Sequence, residues 1–460
     1  MLREEGGVEA SLADRAVEAM LNGSLDLVQM EVPDLNGALR GKFVAAKKVA
    51  GGSKSAVCTV LYQFTPTDDV WVSEHGSYEN GFPDMLGVPD LSTAVELPWR
   101  RGMAAVIYDV NRPDGTPFPL APRNVLRRVT ERFVATGYTP LFGVEYEAFV
   151  FHADRDALQA GRHHDLVSLG RMHNAYRLNQ SEEARELGAE FIRRMRGIGI
   201  TVEVFHTELG LGAVEFALAP AEPMAAADNA IRAKTYFREL CAERGLVPTF
   251  MAKWRVGDSG CGAHVHQSVW KNGHNIFHDA GTGALSDVGS RYLAGMLSTL
   301  QDCGVIFRPT VNSFRRFSVL AWCPENVSWG YDNRSAALRV IAYPEPTAYR
   351  IEHRVPGADA NPYLSLAAML AGGHLGLVND MVPRAAARGN ALADTDAPRL
   401  ANNLGEATEI FARSAFCREY FGDAFVDHYA ASRRAELGYW NEWLASQVTS
   451  FELSRYFETT

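Results

Sequence analysis

The stretch Phe142-Gly143-Val144-Glu145-Tyr146-Glu147-Ala148-Phe149-Val150 constrains this chain more than any other. Its apolar residues read as a β-strand. Side chains two apart on a strand share a face, so Glu145 and Glu147 stand side by side. Neighbouring carboxylates repel unless a cation or a proton lies between them. A solvated strand face would relieve one such pair, but acids recur beside apolar neighbours. After Glu203-Val204-Phe205-His206-Thr207, Glu208 and Glu215 flank a loop holding Gly210 and Gly212. Behind a glycine-rich entry, Gly260-Cys261-Gly262, the residues His264, His266 and Ser268 alternate onto one face. Arg350, Glu352 and Arg354 then alternate as plus, minus, plus. Taken alone, that last pattern would be a surface ion ladder of little energetic consequence.

Several glutamates with a histidine, and no thiolate set, favour hard divalent ions (Mg²⁺ or Mn²⁺) over structural Zn²⁺. Arg315, Arg316, Arg334, Arg339, Arg350 and Arg354 fall within 40 residues, interleaved with apolar segments. They form a focused basic patch in a chain whose net charge is −10. Such a patch holds a polyanion such as a nucleotide phosphate. Acids and arginines together point to phosphoryl transfer with more than one metal.

With 460 residues the chain is too long for one ordinary core, and two domains are expected. Residues 1–24 read as a leader helix. Leu25–Val32 and Ala104–Val110 read as strands, and Pro33–Gly37 as a turn before Leu39–Val44. The break Asn111-Arg112-Pro113-Asp114-Gly115 divides the chain into 1–112 and 113–460. In the second part Ser181–Gly197 has a capping serine, early acids and apolar residues at four-residue spacing, which predicts a helix. Asn229–Arg244 is similar. The architecture predicted is α+β, a small N-terminal sheet domain followed by a larger one.

The acidic balance argues against nucleic acid as a partner. The six cysteines include no Cys-x-x-Cys pair and read as reduced, mostly buried thiols of a cytoplasmic protein. The first residues have no apolar signal core. The longest uncharged run, Ala360–Asn379, contains Asn361, Pro362, Ser365 and His374, and reads as a buried helix rather than a membrane span.

In this order the segments resemble the glutamine synthetase family over nearly the whole chain. The resemblance rests on Gly143-x-Glu145-x-Glu147, His206-x-Glu208 with Glu215, Gly260-x-Gly262-x-His264, Asn333-Arg334-Ser335-Ala336, and Glu352-x-Arg354 with Ala360–Leu364. Asn36-Gly37-x-x-Arg40-Gly41-Lys42, Pro89–Thr93 and Pro98-Trp99-Arg100 add to it. It implies an N-terminal β-grasp domain and a C-terminal barrel-like α/β catalytic domain. It also implies a homo-oligomer, a dodecamer of two hexameric rings with active sites shared between subunits. By resemblance Glu147, Glu208 and Glu215 hold one metal, and Glu145, His264 and Glu352 the other. Ser268, Arg339 and Arg350 contact ATP. Gly260, Arg316 and Arg354 contact L-glutamate, and Arg334 steadies the transferring phosphoryl group. The implied chemistry has two steps. The γ-carboxylate takes the γ-phosphoryl group of ATP, and an amine then displaces phosphate from γ-glutamyl phosphate.

The chain departs from ammonia-using members at the ammonium pocket. By ungapped count Phe64 lies near the usual aspartate, and Trp322, six residues beyond Arg316, replaces a second acid. A desolvated ammonium ion needs compensating charge, whereas an aromatic wall suits an apolar or aromatic amine. Ser259 stands where an asparagine is usual. Arg315-Arg316-Phe317, Trp329–Arg334 and Val448–Glu452 resemble γ-glutamylpolyamine synthetases, so the γ-glutamylamide ligase branch is expected. The preferred amine is small and hydrophobic or aromatic, such as an alkylamine or an aniline. The alternatives are an ammonia-using synthetase, a γ-glutamylpolyamine or γ-glutamylethanolamine synthetase, and a non-catalytic structural or regulatory relative.

Overall fold

In the computed structural model, which describes residues 10–173, 175–178, 181–317, 322–343 and 345–459, two sheets carry the architecture. The N-terminal one contains β1 (Leu27–Pro33), β2 (Leu39–Arg40), β3 (Phe43–Ala45), β4 (Ser55–Cys58), β5 (Asp84–Pro89), β6 (Val95–Glu96) and β7 (Met103–Asn111). Its path runs β2-β1-β7-β5-β4, with β3 beside β1 and β6 beside β7. The two long strands β1 and β7 run parallel. Of the expected leader helix, residues 1–9 lie outside the described residues, and the rest is a helix over Leu12–Asn22 capped by Ser11.

The second sheet contains β8 (Thr139–His152), β9 (Val202–Thr207), β10 (Ala213–Leu218), β11 (Leu246–Thr249), β12 (Val265–Lys271), β13 (His274–Asn275), β14 (Trp329–Tyr331), β15 (Leu338–Ile341) and β16 (Arg350–His353). The order is β14-β15-β16-β12-β8-β10-β9, with β11 beside β8 and β13 beside β12. The long strand β8 is the centre, and the acidic stretch of the sequence lies on it.

Helices Pro122–Val134, Pro223–Glu243, Asp287–Ser298 and Pro362–Val378 pack against one another, and Pro223–Glu243 also packs on β8. The uncharged run is the last of these, buried along nearly its whole length. No helix among the described residues is long and apolar enough to cross a membrane. Helix Glu182–Gly197 starts at its expected cap, where Ser181 accepts from the Ala184 N–H. The next helix begins at Pro223, six residues ahead of the expected Asn229. Proline suits a first helical turn because its missing N–H would be unpaired there anyway. The alanine-rich start lacks the apolar period that marks a helix.

All six cysteines are free, and all but the half-buried Cys58 are buried. The two sheets are joined by buried polar contacts. Glu31 on β1 accepts from Arg232 Nε at 2.8 Å and from the Tyr236 hydroxyl, both on helix Pro223–Glu243. Asn361 caps the last buried helix and donates to the Asp34 carbonyl at 2.9 Å.

Candidate active site

Strand register assembles the charged groups. Glu215 on β10 is paired with Glu147 on β8 and with His206 on β9. Glu352 on β16 is paired with His266 on β12 and with Arg339 on β15. Cross-strand partners share a face, so separated segments put their ionisable side chains on one side of one sheet. All of these but His206 line a cavity of about 270 Å³ that also receives Arg316, Arg334, Arg350 and Arg354.

Two donor groups form there, and His206 of the second does not itself line the cavity. Glu145, His264 and Glu352 hold ligand atoms within 4.8 Å of one another, and so do His206, Glu208 and Glu215. His264 Nδ1 lies 3.6 Å from both Glu145 Oε2 and Glu352 Oε1. In the second group His206 Nε2 is 3.2 Å from Glu215 Oε1. Glu147 lines the cavity, but its carboxylate accepts the Gly262 N–H at 2.6 Å. Geometry therefore clusters His206 with Glu208 and Glu215, and leaves Glu147 as their cross-strand neighbour.

The local fields are strong. Burial raises the Glu215 carboxyl above its ordinary value, despite the hydrogen bond from His206. Burial would lower His206, but Glu215 and the Thr207 carbonyl lift it to about 9. Burial opposes ionisation of Glu145 and Glu352 as well. His266 and His264 nevertheless hold Glu145 well below the usual carboxylate range, and Arg354 brings Glu352 down to about 2. Clustered, mostly ionised carboxylates with imidazoles and no thiolate fit a hard divalent cation.

The arginines divide by partner. Arg354 donates to Glu352 Oε1 at 2.5 Å and to the Arg334 carbonyl at 3.0 Å. Arg339 donates to Glu352 Oε2 at 3.0 Å and to Asp332 at 2.5 Å. Among the described residues Arg316 donates to the carbonyls of Val355 (3.0 Å) and Pro356 (2.8 Å), and its guanidinium lies 3.3 Å from His264 Nε2. Glycine is required beside it, since a Cβ at Gly262 would lie 2.6 Å from the Arg316 guanidinium and 2.7 Å from His264 Nε2.

Ser268 faces a second cavity, of about 400 Å³, with Glu203 and Trp270; the two cavities share Glu145, His266 and Arg350. Gly260 and Trp322 line the first cavity. Trp322 stands in the left-handed region at φ 43° and is 56% exposed; the preceding Ser318–Ala321 lie outside the described residues. Phe64 lies elsewhere, under the Arg40 guanidinium (4.6 Å to the ring centre), in a cavity of the N-terminal sheet with Met30, Val32 and Leu61. One chain thus does not bring Phe64 and Trp322 together. Tyr176, which the sequence did not single out, enters the first cavity and stacks on His206 at 4.6 Å. It sits on an irregular segment with no periodic signal. His206 did have one, standing two residues before Glu208 near the end of β9.

The model of the glutamine synthetase catalytic domain matches residues 119–456. The chain belongs to the glutamine synthetase family. A glutamate–isopropylamine ligase from a Pseudomonas species is 32% identical, with 95% of each chain covered. A γ-glutamylethanolamide synthetase from Streptomyces coelicolor is also 32% identical, over 95% of this chain and 93% of its own. A glutamine synthetase from Thermococcus kodakarensis is 31% identical, over 94% and 97%. Among solved structures, a GmaS–ADP complex superposes with a TM-score of 0.81 at 25% identity, covering 97% of this chain and 99% of the other. The family resemblance read from the ordered motifs, and its γ-glutamylamide branch, are borne out. The chain is a glutamine synthetase-family enzyme, an ATP-dependent ligase that forms carbon–nitrogen bonds.

Proposed function

We propose that this enzyme joins the γ-carboxyl of L-glutamate to a small hydrophobic or aromatic amine at the expense of ATP. The observation that carries the reading is the convergence of Glu145, His264, Glu352, Glu208, Glu215 and five arginines on one cavity that Trp322 also lines.

The adjoining cavity at Ser268 and Trp270 suits the nucleoside, and the shared groups His266 and Arg350 then meet the phosphates. Glu145, His264 and Glu352 would hold one Mg²⁺ or Mn²⁺, and His206, Glu208 and Glu215, with Glu147 alongside, a second. Bound there, the cations neutralise phosphate charge. Arg316 holds the carboxylate of glutamate, with Gly260 and Arg354 beside it. A γ-carboxylate oxygen attacks the γ-phosphorus as the bond to ADP breaks. Arg334, Arg339 and Arg350 balance the charge spread over the equatorial oxygens, a role supported by their lining the same cavity. The amine nitrogen then attacks the acyl carbon, phosphate leaves and the nitrogen loses a proton. Glu325 is a poor candidate for that proton, since it pairs with Arg399 (2.9 Å) and lines neither cavity.

An uncharged aromatic at the cavity supports an organic amine over ammonium, as does similarity to relatives named for isopropylamine and ethanolamide. We assign Phe64 to the amine pocket of a neighbouring subunit, in a dodecamer of two rings. The division at residue 112 and a β-grasp reading of the N-terminal sheet belong to the same proposal. The test is ADP release with glutamate and a panel of isopropylamine, ethanolamine, aniline, putrescine and ammonium. Turnover should be highest with a hydrophobic amine. Ammonium equal to or better than every organic amine would reject the assignment.

A further inference from the structure

Arg316 closes a short helical turn, Asn312–Arg316, whose two ends are gripped by one segment, residues 355–359. At one end the Val355 and Pro356 carbonyls take the guanidinium. At the other, Asp359 Oδ2 accepts from the Ser313 hydroxyl at 2.6 Å and the Thr310 hydroxyl at 3.1 Å. Those hydroxyls lie 2.9 Å apart, and each also accepts the other residue's N–H. The segment itself is tied down. The Ala358 N–H donates to the Cys261 carbonyl at 3.1 Å, and buried Lys234 donates to the Ala358 carbonyl at 2.6 Å. A Cβ at residue 357 would collide with the Asp359 carboxylate, so Gly357 makes room for it.

We infer that Asp359 is a positioning residue for Arg316 and thereby sets the affinity for glutamate. The inference rests on the assignment of Arg316 to the glutamate carboxylate. Asp359 touches no substrate. Without its carboxylate the turn keeps the guanidinium's own bonds and the Asn312 side chain's pair with the Lys253 backbone (2.9 and 2.7 Å), but loses its hold at Ser313 and Thr310, and the guanidinium loosens in its angle to an incoming carboxylate, on which a two-point contact depends. The nucleotide cavity shares no residue with this segment.

The experiment is steady-state kinetics of the full chain with both substrates varied. Asp359→Ala should raise KM for glutamate about tenfold, the size of one charge-assisted hydrogen bond, and leave KM for ATP within about twofold. Asp359→Asn, whose amide oxygen still accepts from Ser313, should fall between the two. If Asp359→Ala fails to fold, the Thr310→Val, Ser313→Ala pair removes the same bonds from the other side and should give the same split. An unchanged glutamate KM, or equal rises for glutamate and ATP, overturns the inference. Arg316→Ala is the control. If it leaves glutamate KM unchanged, the assignment of Arg316 is what fails, and the inference falls with it.

Discussion

His266 and Glu145 are joined by a hydrogen bond of 2.8 Å from Nε2 to Oε1, and the opposite ring nitrogen, Nδ1, accepts from Arg350 Nε at 3.1 Å. Because arginine is always a donor, this geometry places the imidazole proton on Nε2. The chain Arg350–His266–Glu145 runs along the boundary shared by the two cavities. It couples a candidate phosphate contact to a candidate metal ligand.

The first prediction concerns that relay. In His266→Ala, Glu145 loses its fixed orientation, and Arg350 loses the acceptor that aims it. Outer-shell partners of this kind affect metal affinity or activity by about 10- to 100-fold. We expect kcat/KM for ATP to fall by that amount, with an unchanged unfolding midpoint. A loss below about twofold would mean that the relay does not orient the site.

A second prediction addresses the joint between the sheets. Glu31 is 1% exposed and meets Arg232, itself 4% exposed. Removing one member of a buried pair strands the other charge at a cost of about 3–5 kcal/mol. Glu31→Ala should lose stability on that scale in urea denaturation. A loss under about 1 kcal/mol would show that water solvates Arg232 there.

Acid sensitivity follows from His428. Its ring lies 4.7 Å from Trp71 and 5.5 Å from His75, and Nε2 bonds the Tyr62 carbonyl at 2.9 Å. Burial brings this imidazole from its ordinary 6.5 down to about 4, even though that carbonyl favours the charged form. The unfolded chain therefore takes the proton first. Stability falls as pH drops below about 6.5 and stops falling from this source below about 4, with a loss of about 2 kcal/mol by pH 5. His428→Gln should flatten that part of the stability curve. An unchanged slope would place the acid sensitivity elsewhere.

Trp322 tests amine choice. Trp322→Glu restores a charge able to compensate ammonium, so the ratio of kcat/KM for ammonium to that for isopropylamine should rise by about tenfold or more. An unchanged ratio would remove Trp322 from the amine pocket.

Much of the site was readable because strand alternation is a strict rule. Glu145 with Glu147, His264 with His266, and Arg350 with Glu352 each share a face as their spacing requires. Register between strands is another matter. Nothing local in β9 or β10 says that His206 will lie opposite Glu215, so that contact was not readable, and the second metal set, Glu147, Glu208 and Glu215, was named through resemblance. Tyr176 was invisible because it sits on an irregular segment. Phe64 was assigned by counting residues; the fold puts it under Arg40 on the other sheet, and one chain alone does not join it to Trp322. The early start of the helix at Pro223 was missed because alanines bury well without leaving a period.

The central claim is that a phosphoryl group passes onto the glutamate γ-carboxylate before any amine attacks. It is tested most directly with glutamate labelled with ¹⁸O in that carboxylate, by mass spectrometry of the phosphate released during turnover with isopropylamine. An acyl phosphate requires one labelled oxygen in each phosphate, because the bond broken in the second step lies between the acyl carbon and that oxygen. Phosphate free of label, formed together with the γ-glutamylamide, would contradict the account.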